Sequence, residues 1–432
     1  MTAPRRAESE LQISAPQSFR PFLAALLADA GGDHRCVLVV TATAREAEQI
    51  AWAAGELLGP HCAAEFPAWE TLPHERLSPS ADTVGRRSTV LRDLARGRGH
   101  EDFPRVIVAP VRALLQPIAA GLGDVEPLAL RTGQSIDLHE AAVRLVELGY
   151  ERVDLVERRG QFAQRGGILD VFTPVGDHPV RVELWGDIVE EIRTFAVADQ
   201  RSIGEAIESV DVVPVRELML TADVRARAAH LAREHPGAAE VLDRIAQGIA
   251  VEGMEAFAPV LVSGMQLLTD ALPTGSTVLV CDPERVRARA EELVATSQEF
   301  LEASWHGAAE GAASPLPGLD LAPAAYRSMT EVEAAARARG LAWWATAPFV
   351  AAAEVDDAVV IDARPVDDYR GDLRRSLEDI RGWLADGAPI VLLAEGLGSA
   401  ERLVQSLRGE DIAAELVTDL DSAPEPGMVT AG

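Results

Sequence analysis

CVLVVTATAREAEQ, residues 36–49, decides the fold of this chain. Residues 36–42 form an unbroken apolar run, the mark of a strand covered on both faces inside a parallel sheet. A helical stretch over residues 44–58 follows. The pair recurs as RVIVAP (residues 105–110) and the helical VRALLQ after it. Strand and helix in alternation predict an α/β unit with right-handed crossovers.

The turn after the first strand bears on chemistry. Thr41, Ala42, Thr43, Ala44 and Arg45 stand where a phosphate-binding loop would lie. Such a loop needs glycines, so that backbone N–H groups approach the phosphates, and a lysine to reach the β/γ-phosphates. The turn has no Gly, and the chain has no lysine at all: its 40 basic residues are all Arg. No Asp-Glu pair follows a strand to hold Mg²⁺. The site is expected to be vestigial, with no catalytic residue and no cofactor. A weaker candidate, Gly396-Leu397-Gly398-Ser399 after Glu395, lacks a third glycine and reads as a tight turn with Ser399 as N-cap.

Outward from these strands the pattern changes. A helix is predicted over residues 139–148. Short alternating runs follow, ERVDLVE, GGILDVFT, VRVELWG and IVEEIRTF, separated by Gly-containing turns. They read as an antiparallel meander, so residues 125–213 are taken as an inserted α+β domain. Helical periodicity returns at residues 223–234 and 240–247. The strand STVLVCD (residues 276–282) leads into a helix over residues 283–301, with Pro283 at its start. Residues 306–323, rich in Ala, Gly and Pro, read as a linker. A final α/β unit, residues 346–432, holds AVVIDA, a helix over residues 373–385, PIVLLAE and a helix over residues 399–407. Its strand-like ending, MVTAG, leads us to expect a chain cut inside a domain.

Composition bounds the partners. With 68 acidic against 40 basic residues the net charge is -28, unfavourable for general contact with a phosphate backbone. No apolar run approaches the ~20 residues that a bilayer-spanning helix needs, and no signal peptide opens the chain. A cytoplasmic protein with no membrane partner is expected. Cys36, Cys62 and Cys281 lie far apart without a Cys/His cluster, so no metal site is expected. The nine histidines offer no HExxH pattern or nucleophile elbow.

The inserted domain carries the candidate binding residues. In VRVELWG (residues 180–186), alternation puts Arg181, Glu183 and Trp185 on one face, with Val182 and Leu184 on the other. Arg and Trp are enriched at binding hot spots. Arg165 precedes Gly166-Gly167, whose missing side chains would leave room for a partner. The residues alone leave a second outcome equally open: Arg181 pairing with a neighbouring carboxylate and Trp185 lying flat on a helix.

FPAWETLPHERLSPSADTVGRR (residues 66–87), the stretch from residue 150 to 202, and GIAVEGMEAFAPVL (residues 248–261) together resemble the N-terminal region of bacterial transcription-repair coupling factors (Mfd). The resemblance implies a UvrB-like architecture. A helicase-like parallel-sheet domain (residues 1–124 and 214–345) with a degenerate P-loop would be interrupted by the insertion and followed by the small unit. It further implies that the insertion docks UvrA through Arg165, Arg181 and Trp185, and that a C-terminal domain masks it in the complete protein. ATP and Mg²⁺, RNA polymerase and double-stranded DNA would belong to later domains, making this chain a fragment. UvrB's DNA-clamping hairpin looks lost. Residues 66–84 keep only Phe66 and Trp69 as aromatics and add Pro67, Pro73 and Pro79, so Trp69 and Leu72 are expected to pack on the core. A residual DNA contact through Arg76, Arg86 and Arg87, or a UvrB-like nucleotide- or DNA-binding domain, is the alternative.

Overall fold

Val37–Val40 is apolar throughout because both of its faces are roofed. Leu38 and Val40 point into one hydrophobic cluster, Val37 and Val39 into another. Fully burying such side chains contributes about 1.5–3 kcal/mol each. This computed structural model describes residues 10–30, 35–59, 61–72, 75, 77–97, 100–309, 319–348, 358–394, 396–418 and 424–432. They fall into two compact units, residues 1–363 and 364–432.

The larger unit begins with β1 (Glu10–Ser14), α1 (Arg20–Ala30), β2 (Val37–Thr41), α2 (Ala44–Leu58), β3 (Ala63–Glu65), α3 (Ala81–Arg96), β4 (Val106–Pro110) and α4 (Val111–Leu115). Short strands β5 (Ile118–Ala119) and β6 (Leu128–Arg131) lead to α5 (Leu138–Glu147), capped by Asp137, whose carboxylate accepts from the His139 and Glu140 N–H groups.

Next come β7 (Glu151–Arg152), β8 (Gln161–Arg165), β9 (Ile168–Val171), β10 (Val180–Trp185), β11 (Ile188–Phe195) and β12 (Ser202–Ala206), which form one six-stranded sheet in reverse order. β13 (Ser209–Val212) returns to pair with β6. One face of the six-stranded sheet packs on α5 through Leu145, Phe162, Leu169, Val171, Val182 and Ile192. The expected meander is present with one difference. Only Glu151–Arg152 of ERVDLVE is a strand, and it runs parallel to β8. Val156 instead tucks under the sheet's other face with Ala163, Phe172 and Phe195.

Helices α6 (Ala222–Glu234), α7 (Ala239–Ala246) and α8 (Ala258–Leu261) build a cluster of their own. After β14 (Met265–Gln266) and α9 (Leu268–Ala271), the chain re-enters the large sheet with β15 (Thr277–Cys281), α10 (Pro283–Ala309), α11 (Met329–Ala338), β16 (Ala342–Ala347) and β17 (Val359–Val360). The seven strands run in the order β17-β1-β16-β15-β2-β4-β3, all parallel.

Two expectations change here, and two strands join the sheet unforeseen. Val359–Val360, assigned from sequence to the last unit, pairs with β1, so the larger unit extends beyond residue 345 to 363. The helix expected to end near residue 301 continues to Ala309, inside the stretch read as linker. Its periodicity is obscured there by small residues that pattern reading takes for a loop. β1 and β16 are full members of the sheet, although ELQIS and AWWATA lack the long aliphatic run that marks the interior strands.

The segment leaving the insertion is bolted to α3 of the large-sheet domain by a buried ion pair. Arg87 of α3 is fully buried and donates through Nε to Glu217 Oε1 at 2.5 Å, just past β13. The Trp69 indole N–H donates to the same oxygen at 2.9 Å. Arg87 also donates to the Pro67 carbonyl and lies over the Phe66 ring. Trp69 and Leu72 therefore pack on the core as expected. Arg87 is consumed internally, which corrects the alternative that it reaches DNA; Arg86 pairs with Glu65 and Asp82 at the surface, and Arg76 lies outside the described residues. Gly85 permits the fit: a Cβ there would sit 2.4 Å from Pro174 of the insertion.

In the smaller unit, α12 (Leu373–Ala385) and α13 (Leu397–Gly409) pack on a three-stranded parallel sheet, β18 (Ile390–Leu392), β20 (Val429–Ala431) and β19 (Ala414–Leu416), with β20 central. Gly396, not Ser399, caps α13, with no side-chain hydrogen bond to the helix end. Its φ of +90° suits a glycine.

Candidate protein-docking site

Two tight hairpins end side by side at one end of the inserted sheet. β8 turns into β9 through Gly166-Gly167, with Arg165 opposite Ile168. β10 turns into β11 through Gly186-Asp187, with Trp185 opposite Ile188. The tips touch through the backbone: the Leu184 N–H donates to the Gly167 carbonyl at 2.8 Å. A Cβ on Gly167 would come within 2.9 Å of the Leu184 carbonyl oxygen. The room expected there for a partner is thus already used by the chain's own β10; Gly166 alone faces open space.

Trp185 stands out at 80% exposure beside Ile188 at 42%. Burying an indole gains far more than burying most side chains, so an uncovered Trp on a rigid two-residue turn is a ready anchor. Arg165 is more than half exposed, and its only ion pair among the described residues, to Asp170, is long at 3.5 Å. Its guanidinium keeps donors to spare.

Arg181 is different, and this corrects the expectation that it faces outward as a free guanidinium. Nε donates to Asp170 Oδ1 at 2.7 Å and Nη2 to Oδ2 at 2.9 Å, a two-pronged pair with a carboxylate that is 1% exposed. Nη1 donates to the Gln200 carbonyl, and the guanidinium lies 4.7 Å above the Phe195 ring. The Asp170 bonds hold the guanidinium pKa above its ordinary value. The cause is register: Asp170 sits directly across from Arg181 on β9, and the Phe195–Val156 cluster covers this half of the outer face. Alternation along β10 sorts side chains to a face but carries no signal of a lid made from residues 153–158 and 195–200.

A second place where an α/β fold commonly binds ligands is the crevice at the carboxyl ends of the strands where the connections change direction. In the large sheet this falls between β2 and β15. From β2 the chain moves outward through β3 and β4; β15 enters from the other side. Here Thr41 and Ala42 are buried, while Thr43, Ala44 and Arg45 lie at the surface. Thr43 caps α2 by accepting from the Glu46 N–H. The crevice is filled with matched charge. Buried Arg20 meets Asp282 at 2.6 Å, Arg285 bridges Asp282 at 3.2 Å and Glu46 at 2.9 Å, and Gln17 donates to Asp282. Bonding to Glu46 raises the Arg285 pKa. Glu46 puts a negative charge in the first turn of α2, where a phosphate would have to sit.

Among the described residues no cluster of three or more His, Cys, Asp or Glu could hold a metal ion. Cys36 and Cys281 are buried, and burial pushes the Cys281 thiol up to about 12. No helix of the described residues is long and apolar enough to cross a membrane.

Comparison with known proteins adds kinship. Residues 128–218 match the family described as UvrB interaction domain. A transcription-repair-coupling factor of Mycobacterium bovis is 46% identical over 97% of this chain and 35% of its own length. One of Myxococcus xanthus is 37% identical over 59% of this chain and 22% of its own, and one of Bacillus subtilis 26% identical over 61% and 24%. The chain spans about a third of the length of the mycobacterial relative.

Proposed function

Because this chain belongs, over the third of their length that it spans, to the transcription-repair-coupling factor family, we propose that it is the adaptor region that recruits UvrA to stalled RNA polymerase. The inserted domain is the docking surface. The observation that carries this reading is Trp185, 80% exposed on a rigid hairpin tip next to the half-free Arg165. The two tips present an indole and a guanidinium side by side, suited to an apolar pocket rimmed by carboxylates. Arg181 is a positioning residue. It neutralises Asp170 and thereby fixes the strands that aim Arg165 and Trp185.

The large-sheet domain is, on this proposal, a helicase-like scaffold that binds no nucleotide. The missing lysine and glycines and the ion pairs packed between β2 and β15 support it. ATP and Mg²⁺, RNA polymerase and double-stranded DNA are assigned to parts of the family's proteins outside this third. The proposed compartment is the cytoplasm, where such a complex forms.

The test is a calorimetric titration of UvrA with the wild-type chain and Trp185→Ala. Affinity is expected to fall by about 2 kcal/mol or more, with circular dichroism and melting unchanged. Equal affinities for the two folded proteins would end the proposal.

A further inference from the structure

A cleft of about 710 Å³ opens where the insertion meets the rest of the larger unit, walled by the loop before α3, the β7–β8 segment, the loop after β13 and the turn after α7. Arg152, Arg158 and Arg244 line it and are exposed. Among the described residues none of the three has a carboxylate or carbonyl partner for its guanidinium. Most described arginines of the chain are tied to a carboxylate or a carbonyl; these three, which share one cleft, are not. The cleft also holds Glu151, which accepts from Gln161, and Glu252, 3.8 Å from Arg216, yet Arg152, Arg158 and Arg244 stay unmatched among the described residues and leave the lining with an excess of cations.

The cleft wall is also partly aliphatic. Val146 and Val215 line it with Ile249, which is 42% exposed. Among the described residues that line it no aromatic ring is exposed; Tyr150 is buried, its hydroxyl donating to the Val213 carbonyl. Two anionic partners can be compared. A nucleic-acid strand gains from aromatic platforms on which bases stack. It also brings dense negative charge against a strongly acidic protein. The cleft lacks the first and the chain opposes the second. A short peptide carries few charges, pairs carboxylates two-pronged with Arg, and has aliphatic side chains to fill the spaces between.

We propose that this cleft is a second docking site, for an acidic peptide segment of a partner protein in which carboxylates are interspersed with aliphatic residues. It stands apart from the hairpin tips. The cleft touches the start of β8 at Gln161, the tips lie at its end at Arg165, and four strand steps separate these Cα atoms by roughly 13 Å. The proposal does not rest on UvrA recruitment.

The experiment is a fluorescence-anisotropy titration of the full chain with a labelled peptide of Glu, Asp, Leu and Val, and in parallel with a labelled oligo-dT. The variants are the triple Arg152→Glu/Arg158→Glu/Arg244→Glu, whose sites are exposed and unpaired, and Trp185→Ala. Saturable, salt-sensitive binding of the peptide is expected, about tenfold or more weaker in the triple variant and unchanged in Trp185→Ala. Absence of peptide binding, equal binding by the triple variant, or loss in Trp185→Ala would overturn it. Tighter binding of oligo-dT than of peptide would overturn it in favour of a nucleic-acid site.

Discussion

The carboxyl-end crevice of the large sheet and the hairpin tips of the insertion are both places where folds of this kind meet ligands, and they treat charge in opposite ways. In the crevice Arg20, Asp282, Arg285 and Glu46 pair with one another. At the tips Asp170 saturates Arg181 but holds Arg165 only at 3.5 Å, and Trp185 is left uncovered. The lesson is that residue type alone does not mark a site. What marks it is the residue whose bonding capacity the chain has not used.

That contrast can be broken first at Asp170. Asp170→Ala removes the carboxylate beneath two arginines and strands the largely buried Arg181. It is expected to cost about 3–5 kcal/mol, read as a lower urea midpoint and faster hydrogen exchange in β9 and β10. A loss below 1 kcal/mol would mean that Arg181 is not held as described. Arg181→Ala should likewise destabilise the sheet, so a binding defect in that variant would not isolate a contact.

Trp185→Ala is the sharper probe of the tips. Beside its loss of UvrA affinity, stability should stay within about 0.5 kcal/mol of wild type, because an exposed indole supports little in the free chain. A large drop in melting temperature would show that the indole is structural after all. Arg165→Ala should weaken UvrA binding by about 1 kcal/mol or more and barely change stability, since its guanidinium is more than half exposed and meets Asp170, which Arg181 already neutralises, only at 3.5 Å. Unchanged affinity would confine the anchor to Trp185.

The smallest expected effect belongs to the crevice. Mg-ATP should leave the melting temperature where it is, because a ligand stabilises only the state it binds. A rise that grows with nucleotide concentration would return the large sheet to the class of working nucleotide sites and dissolve the contrast.

Legibility followed the same division. The interior strands β2, β4 and β15 were readable because a strand roofed on both sides must be apolar at every position. Edge-side β1 and β16 were not, since AWWATA and ELQIS mix polar and apolar residues as loops do. Within the candidate site, alternation placed Trp185 on the face opposite Val182 but left open whether a helix covers it. It did not show the pairing of Arg181, because its partner Asp170 reaches it only through the β9–β10 register and its ring contact only through the fold-back of Phe195.

By itself the sequence determined the parallel core, the antiparallel strands set between its halves, and a turn after β2 without the glycines and lysine of a phosphate loop. Each is a property of residue types at short spacing: apolar runs, turn signals, an absent lysine. Tertiary structure alone decided which charges remain free. A guanidinium's partner is set by which distant strand or loop comes within 3 Å of it, and local periodicity, which fixes only the direction in which a side chain leaves the backbone, does not encode that approach.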